Sequence, residues 1–157
     1  MAVRCPSRPS RKVRQRGFSL IELMVTLSIA VIMLGIGIPS FKNFTASQKV
    51  KAASQDLMST LSLARSEAVK RNTDVTVAPD TAGVWTGGWT VKTGTTTLLQ
   101  QQALTGVTIT TAAATIVFKP TGRPNASSTF DVAGSSAARC VKVDLTGIPS
   151  TQTLPCS

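Results

Sequence analysis

The sequence predicts an α+β fold. A long N-terminal helix, membrane-spanning in its first half and amphipathic in its second, packs on an antiparallel β-sheet or small β-sandwich head. Three observations carry this expectation. The run Phe18–Ile38 is 21 residues long and holds one charge, Glu22. An apolar stripe with helical period follows from Val50 to Ala68. From Asp74 onward, short β-branched runs alternate with turn residues. The expected segments are 1–17, a basic N-terminal stretch; 18–39, a membrane helix; 40–72, an amphipathic helix; and 73–157, a β-rich head.

The first segment carries Arg4, Arg8, Arg11, Lys12, Arg14 and Arg16 and no acid. The apolar run behind it is long enough, as a helix, to cross the hydrocarbon core of a bilayer. Basic residues at its entrance keep that end in the cytoplasm and send everything after Pro39 to the other side. A buried core helix is one rival reading, but such helices seldom run this long without an amphipathic stripe. A cleaved secretory signal is the other. Its apolar region is shorter and exits through small residues, whereas this run leaves through Gly37-Ile38-Pro39-Ser40-Phe41.

Gly35, Gly37 and Pro39 weaken the helix at the end of the span, proline by removing a backbone donor and crowding the preceding turn. The helical pattern then resumes. Val50, Ala53, Leu57, Leu61, Ala64 and Ala68 recur at steps of three and four, which places them on one face. Lys49, Lys51, Gln55, Ser59, Ser62, Ser66 and Lys70 take the opposite side as a solvated or contact face. Lys70 and Arg71 suit a last turn, and Asn72 tolerates a left-handed cap.

In the remaining half the expected strands are Val75–Ala78, Trp89–Lys92, Thr97–Gln100, Val107–Thr110, Ile116–Lys119, Phe130–Val132 and Cys140–Leu145. Gly87-Gly88, Thr105-Gly106 and Thr121-Gly122 read as turns between them. The tract Thr93–Thr115 is rich in Thr and Ala, so its register is weakly specified and mobile loops are expected. Trp85 and Trp89, spaced Trp-Thr-Gly-Gly-Trp, read as a hairpin whose rings fill the core; a base-stacking platform is the alternative.

The chain has no histidine and no tyrosine, and only seven Asp and Glu, which are scattered. This removes the common nucleophile–base systems and the commonest metal ligand, so no enzyme activity is expected. With no C-x2-C pair either, no metal or cofactor is expected. The net charge of +10 resides mainly in the basic stretch and the helix that follows. In the head, Lys92, Lys119, Arg123, Arg139 and Lys142 face Asp74, Asp80, Asp131 and Asp144. Lys119, Arg123, Arg139 and Lys142 are the candidate contacts for DNA phosphates, with Lys49 and Lys51 as a competing site; ordinary solvated charges are the alternative.

The entrance Arg16-Gly17-Phe18-Ser19-Leu20-Ile21-Glu22-Leu23-Met24 resembles the prepilin signature of type IV pilins and type II secretion pseudopilins. Leu63-Ala64-Arg65-Ser66-Glu67-Ala68-Val69-Lys70-Arg71-Asn72, Gly88-Trp89-Thr90-Val91 and Val117-Phe118-Lys119-Pro120-Thr121-Gly122-Arg123 narrow it. They are similar to FimT-type minor type IV pilins and H-type minor pseudopilins of type II secretion.

The resemblance implies that residues 1–17 are a leader. A prepilin peptidase would cut between Gly17 and Phe18 and methylate the new amine of Phe18. It implies that Glu22 meets such an amine on a neighbouring subunit during assembly; pairing within one chain, one helical turn away, stays open. The other partners implied are further pilins or pseudopilins and the bacterial inner membrane, crossed once with the N-terminus cytoplasmic and the head periplasmic. Type IV pilus assembly is the leading function, with type II protein secretion and a DNA-receptor role in natural transformation as alternatives. The DNA-binding members carry a Gly-Arg-x-Arg stretch; this chain has Gly147-Ile148-Pro149-Ser150 there, with neither arginine. Loss of the leader removes Cys5 and leaves Cys140 and Cys156 as an even pair in an oxidising compartment, where a disulfide is expected.

Overall fold

A computed structural model describes residues 17–153 and Cys156; the expected leader, apart from Gly17, lies outside the described residues. The chain divides into two units, 1–38 and 39–157.

Helix α1 covers Leu20–Arg71. Its start is set by Ser19, whose Oγ accepts from the Glu22 amide at 3.2 Å. That is the N-cap bond of a Ser-x-x-Glu capping box, in which the serine oxygen satisfies a free amide of the first turn. Pro39 lies within the assigned helix, and its ring nitrogen cannot donate to the carbonyl four residues back. The end is equally specified. Asn72 adopts φ 53°, its amide donates to Val69 O, and the Thr73 amide donates to Ala68 O. These are the two bonds of a Schellman cap. Glu67 holds Arg71 at 2.5 Å and Lys70 at 3.9 Å on the last turn. The Arg71 hydrogen bond holds the Glu67 carboxyl below its ordinary range.

Eight strands follow: β1 (Val75–Thr81), β2 (Val84–Thr93), β3 (Thr96–Gln101), β4 (Thr108–Thr110), β5 (Ile116–Phe118), β6 (Ser128–Ala133), β7 (Ala138–Val143) and β8 (Pro149–Thr153). They form two four-stranded sheets, ordered β3-β2-β1-β5 and β4-β6-β7-β8. Neighbouring strands are antiparallel. Two-residue turns close the first two hairpins. Ala82-Gly83 joins Thr81 to Val84 and Gly94-Thr95 joins Thr93 to Thr96, with Gly83 and Gly94 supplying positive φ.

The predicted stripe is the helix's contribution to the core. Val50, Ala53, Leu57, Leu61, Ala64 and Ala68 are all buried. They form one cluster with inward-facing residues of both sheets, including Val75, Val77, Trp89, Val91, Ile116 and Phe118 from the first and Ile109, Phe130, Val132, Val141 and Val143 from the second. Trp85 meets Phe130 edge to face, with ring centroids 4.9 Å apart, and so ties one sheet to the other. Both indoles are satisfied: Trp85 Nε1 donates to Ala113 O at 2.9 Å and Trp89 Nε1 to Thr60 Oγ1 at 3.2 Å. Thr60 in turn donates to Asp56 O.

Three expectations need correction. Trp85 and Trp89 do not flank a hairpin; both lie on β2, four residues apart, so they face the same side and are fully buried. Gly87-Gly88 is therefore strand interior rather than turn. Gly88 has φ 103°, and a Cβ there would stand 2.5 Å from Gln101 O on the neighbouring strand, so close backbone approach explains the glycine. The final strand is not the one starting at Cys140, because β8 pairs beyond β7 at the sheet edge. Its proline occupies the first strand position, where a missing amide is tolerated. Within the Thr- and Ala-rich tract, β3 and β4 overlap the expected strands Thr97–Gln100 and Val107–Thr110.

Cys140, on β7, and Cys156 are disulfide-bonded, with Cα atoms 5.5 Å apart. Reduction is expected to cost about 3 kcal/mol in the chain-entropy account, to be read as a lower denaturation midpoint on adding reductant; an unchanged midpoint would show that edge pairing alone holds β8. Thr60→Val is expected to cost about 1–3 kcal/mol, because it strands the buried Trp89 N–H. Denaturation followed by tryptophan fluorescence measures it, and wild-type stability would show the indole needs no partner.

Candidate functional site

The residues of the N-terminal motif sit where the chain passes from coil to helix. Gly17, Phe18 and Ser19 are non-helical and exposed, and α1 begins at Leu20. Among the described residues nothing lies within 4 Å of a Cβ placed at Gly17, and Phe18 is 79% exposed. The Gly17–Phe18 peptide is thus an exposed, non-helical bond just ahead of a capped helix. The Ser19 cap was readable from Ser19-x-x-Glu22, yet the motif alone drew attention to Glu22. Glu22 therefore stands in the first turn, where a carboxylate complements the free amides.

The apolar side chains beyond it, from Leu20 to Leu34, are exposed, and α1 is long and apolar enough at this end to cross a membrane. Exposed apolar surface on this scale marks an interaction site.

The four head residues predicted to bind phosphate are not gathered on one surface. Lys119 Nζ is engaged by Asp74 Oδ2 at 2.7 Å. Arg123 is exposed on the same turn, whose backbone closes through Lys119 N to Arg123 O. Arg139 and Lys142 stand three residues apart on β7 and so fall on opposite faces of the sheet; Lys142 lies in register with Thr129 and Ser150. That parity was readable once the strand was assigned.

Around Gly147-Ile148-Pro149-Ser150 the requirement is close packing. Gly147 has φ 80°, and a Cβ there would lie 2.0 Å from Gly122 O. The preceding Asp144 carboxylate accepts from the Thr146 hydroxyl and amide. The hydroxyl bond leads in lowering its pKa, with backbone amides of the same turn adding to it. Its support for the turn is therefore present at neutral pH and lost as pH falls through the carboxylate range. Arg65 Nε donates to Gly122 O at 3.2 Å, so the helix, the turn after β5 and the turn before β8 meet there.

Asp131 Oδ1 lies 2.7 Å from Cys156 Sγ. A disulfide sulfur has no proton to donate and no thiolate to offer a metal, so this cluster is a structural contact. A crevice of about 520 Å³ on the first sheet is lined by Thr76, Asp80, Thr90, Lys92 and Gln100, among others. Its charged groups are one carboxylate and one ammonium, with no nucleophile–base pair.

Comparison with known proteins agrees with this architecture. A two-layer α+β head behind an apolar, accessible helix start defines a pilin-like class. Residues 53–147 match the family described as Type II transport protein GspH, and the chain belongs to that family. Residues 12–38 match the prokaryotic N-terminal methylation motif. A 47-residue stretch is 47% identical to prepilin peptidase-dependent protein D of Escherichia coli (strain K12); it spans 30% of this chain and 30% of that protein. Among solved structures, the type IV minor pilin FimU of Pseudomonas aeruginosa shares the fold with a TM-score of 0.60 at 17% identity, covering 69% of this chain and 90% of that one. The minor pseudopilin EpsH of the Vibrio cholerae type 2 secretion system does so with a TM-score of 0.54 at 15% identity, covering 67% and 97%.

Since the basic residues are dispersed, duplex DNA should bind no more tightly than the nonspecific range, roughly 10⁻⁴ to 10⁻⁶ M, and with a steep fall in salt. A gel shift at low and near-physiological salt measures this. Nanomolar binding at physiological salt, lost in Arg123→Ala/Arg139→Ala, would overturn it.

Proposed function

We propose that the chain is a minor pilin-like structural subunit, anchored by its apolar helix and built into a type IV pilus. The carrying observation is the methylation motif over 12–38, in register with an exposed Gly17–Phe18 peptide and with Glu22 in the first turn of an exposed apolar helix. In this reading prepilin peptidase cuts after Gly17 on the cytoplasmic side, the amine of Phe18 is methylated, and the head faces the periplasm. Glu22 then supplies the counter-charge for a positive terminus. A carboxylate in hydrocarbon costs on the order of 3 kcal/mol, so pairing with that terminus on an adjoining subunit favours a defined axial register. The family match favours a second reading, an H-type pseudopilin of type II secretion. Both readings share the same processing and assembly chemistry, and partner subunits decide between them.

Intact-mass measurement of membrane-extracted protein should give a chain beginning with N-methyl-Phe18, and Gly17→Ala should leave the precursor uncut. A mature chain beginning near Gln48, or wild-type protein retaining Met1, would refute the processing scheme. Glu22→Ala should leave insertion intact, because it makes the span more apolar, while strongly lowering recovery in sheared filaments. Normal recruitment of the alanine variant would remove the assembly role given to Glu22.

A further inference from the structure

Just past the apolar run, the helix surface changes chemistry. The sequence holds Lys42, Lys49 and Lys51 but no acid between Glu22 and Asp56. Phe41 is 69% exposed and Phe44 59%. Phe41, Lys42, Thr45, Ala46 and Lys49 line one wall of a crevice of about 320 Å³, wholly within the second unit; Gly106 and Ser135 line the other.

The crevice is held open by backbone packing. Gly106 has φ 78°, and the place its Cβ would take lies 3.1 Å from Lys49 Nζ. Lys49 therefore lies across a bare glycine, with its ammonium at the crevice. Ser135 belongs to the turn between β6 and β7. That turn is fastened to the helix by Ser136 Oγ, which donates to Asn43 O at 2.9 Å, and by Gly134, whose missing Cβ would sit 2.7 Å from Val50 Cγ2.

We propose that this crevice binds the phosphate of an anionic phospholipid in the leaflet on the head's side. Lys42 and Lys49 are the counter-charges, and Phe41 and Phe44 lie at headgroup level. The proposal rests on the membrane-anchored reading above. Chain length supports this occupant: Lys42 follows Ile38 by four residues, so its Cα stays within about 14 Å of the span's end in any conformation. That keeps it close to the headgroup layer, which begins where the span ends. Aromatic rings beside lysines are the composition that settles at such an interface, the rings in the apolar boundary and the ammonium groups reaching the phosphates. With no acid between Glu22 and Asp56 in the sequence, this stretch of helix is electrostatically complementary to an anionic leaflet. Two lysines at such a surface contribute on the order of thirtyfold in binding.

The test uses the full chain in phosphatidylcholine nanodiscs doped with photoreactive lipids, with labels mapped by peptide mass spectrometry. Phosphatidylglycerol bearing a headgroup diazirine should label the Phe41–Lys49 segment and Ser135. With the probe below saturation, Lys42→Ala/Lys49→Ala should cut that label by on the order of thirtyfold and leave label at the Phe18–Glu22 end of the span unchanged. Lys42→Arg/Lys49→Arg should retain it, and an intact Cys140–Cys156 disulfide with unchanged thermal unfolding checks the fold of each variant. Equal labelling by a phosphatidylcholine headgroup probe, or undiminished label in the alanine variant, would overturn the proposal. So would loss of label on adding inorganic phosphate or duplex DNA, which would assign the crevice to a free anion or to nucleic acid. An acyl-chain probe separates the two levels. A labelled 20–38 segment with a silent crevice defeats the lipid site alone, whereas an unlabelled segment defeats the anchoring.

Discussion

Burial of one helical stripe organises the head. Val50, Leu57 and Leu61 occupy the middle of a cluster to which both sheets contribute. The inner faces of both four-stranded sheets pack into that same cluster, and full burial of each such side chain contributes roughly 1.5–3 kcal/mol. The stripe has to remain in phase over five turns to reach both sheets. The caps defend that phase: the Schellman bonds at Asn72 and Thr73 stop the helix at Arg71, the partner of Glu67. Polar atoms inside the cluster are admitted only when paired, as Thr60 shows by donating to Asp56 O while accepting from Trp89. A second threonine-dependent contact, Thr86 Oγ1 with the Ile109 amide, links β2 to β4 across the sheets.

The same helix obeys an opposite constraint at its other end. From Leu20 to Leu34 its apolar side chains are exposed, so water is the wrong solvent for this stretch and a bilayer or the matching helices of other subunits is the right one. In either surrounding a lone carboxylate is disfavoured unless it meets a cation. In the proposed reading, cleavage after Gly17 supplies that cation as the new positive terminus. Under that proposal processing and assembly are coupled, because the cut places a positive terminus four residues from the glutamate.

What could be read from the sequence follows what leaves a periodic trace. The stripe from Val50 to Ala68 was legible because burial on one face of a helix repeats at steps of three and four, and Asn72 was legible because few residues accept φ 53°. The Trp-Thr-Gly-Gly-Trp stretch was misread because adjacent glycines usually signal a turn; here Gly88 answers to the backbone of Gln101 on the next strand, a contact 13 residues distant that local spacing does not record. Strand β8 was missed because Pro149-Ser150-Thr151-Gln152-Thr153 has no apolar alternation. It is held by edge pairing with β7 and by the disulfide. The dispersal of the candidate phosphate contacts likewise depends on pairings: Asp74 engages Lys119 across 45 residues.

The head and the helix start therefore carry different kinds of information. The motif around Glu22 concerns how any subunit of this kind is cut and inserted. The core of Trp85, Trp89 and Phe130 concerns how the head stays folded, and solved heads with pilus and secretion roles share that architecture at 15–17% identity. Neither distinguishes one filament from another, since a fold common to both supplies no specificity. Specificity has to lie on exposed positions that the core leaves unconstrained. Exposed apolar residues such as Leu145 and Ile148 stand out there because burial in this head does not require them. They flank Gly147, which close packing against Gly122 does require. A backbone held in place by that packing thus presents apolar side chains that the core does not use.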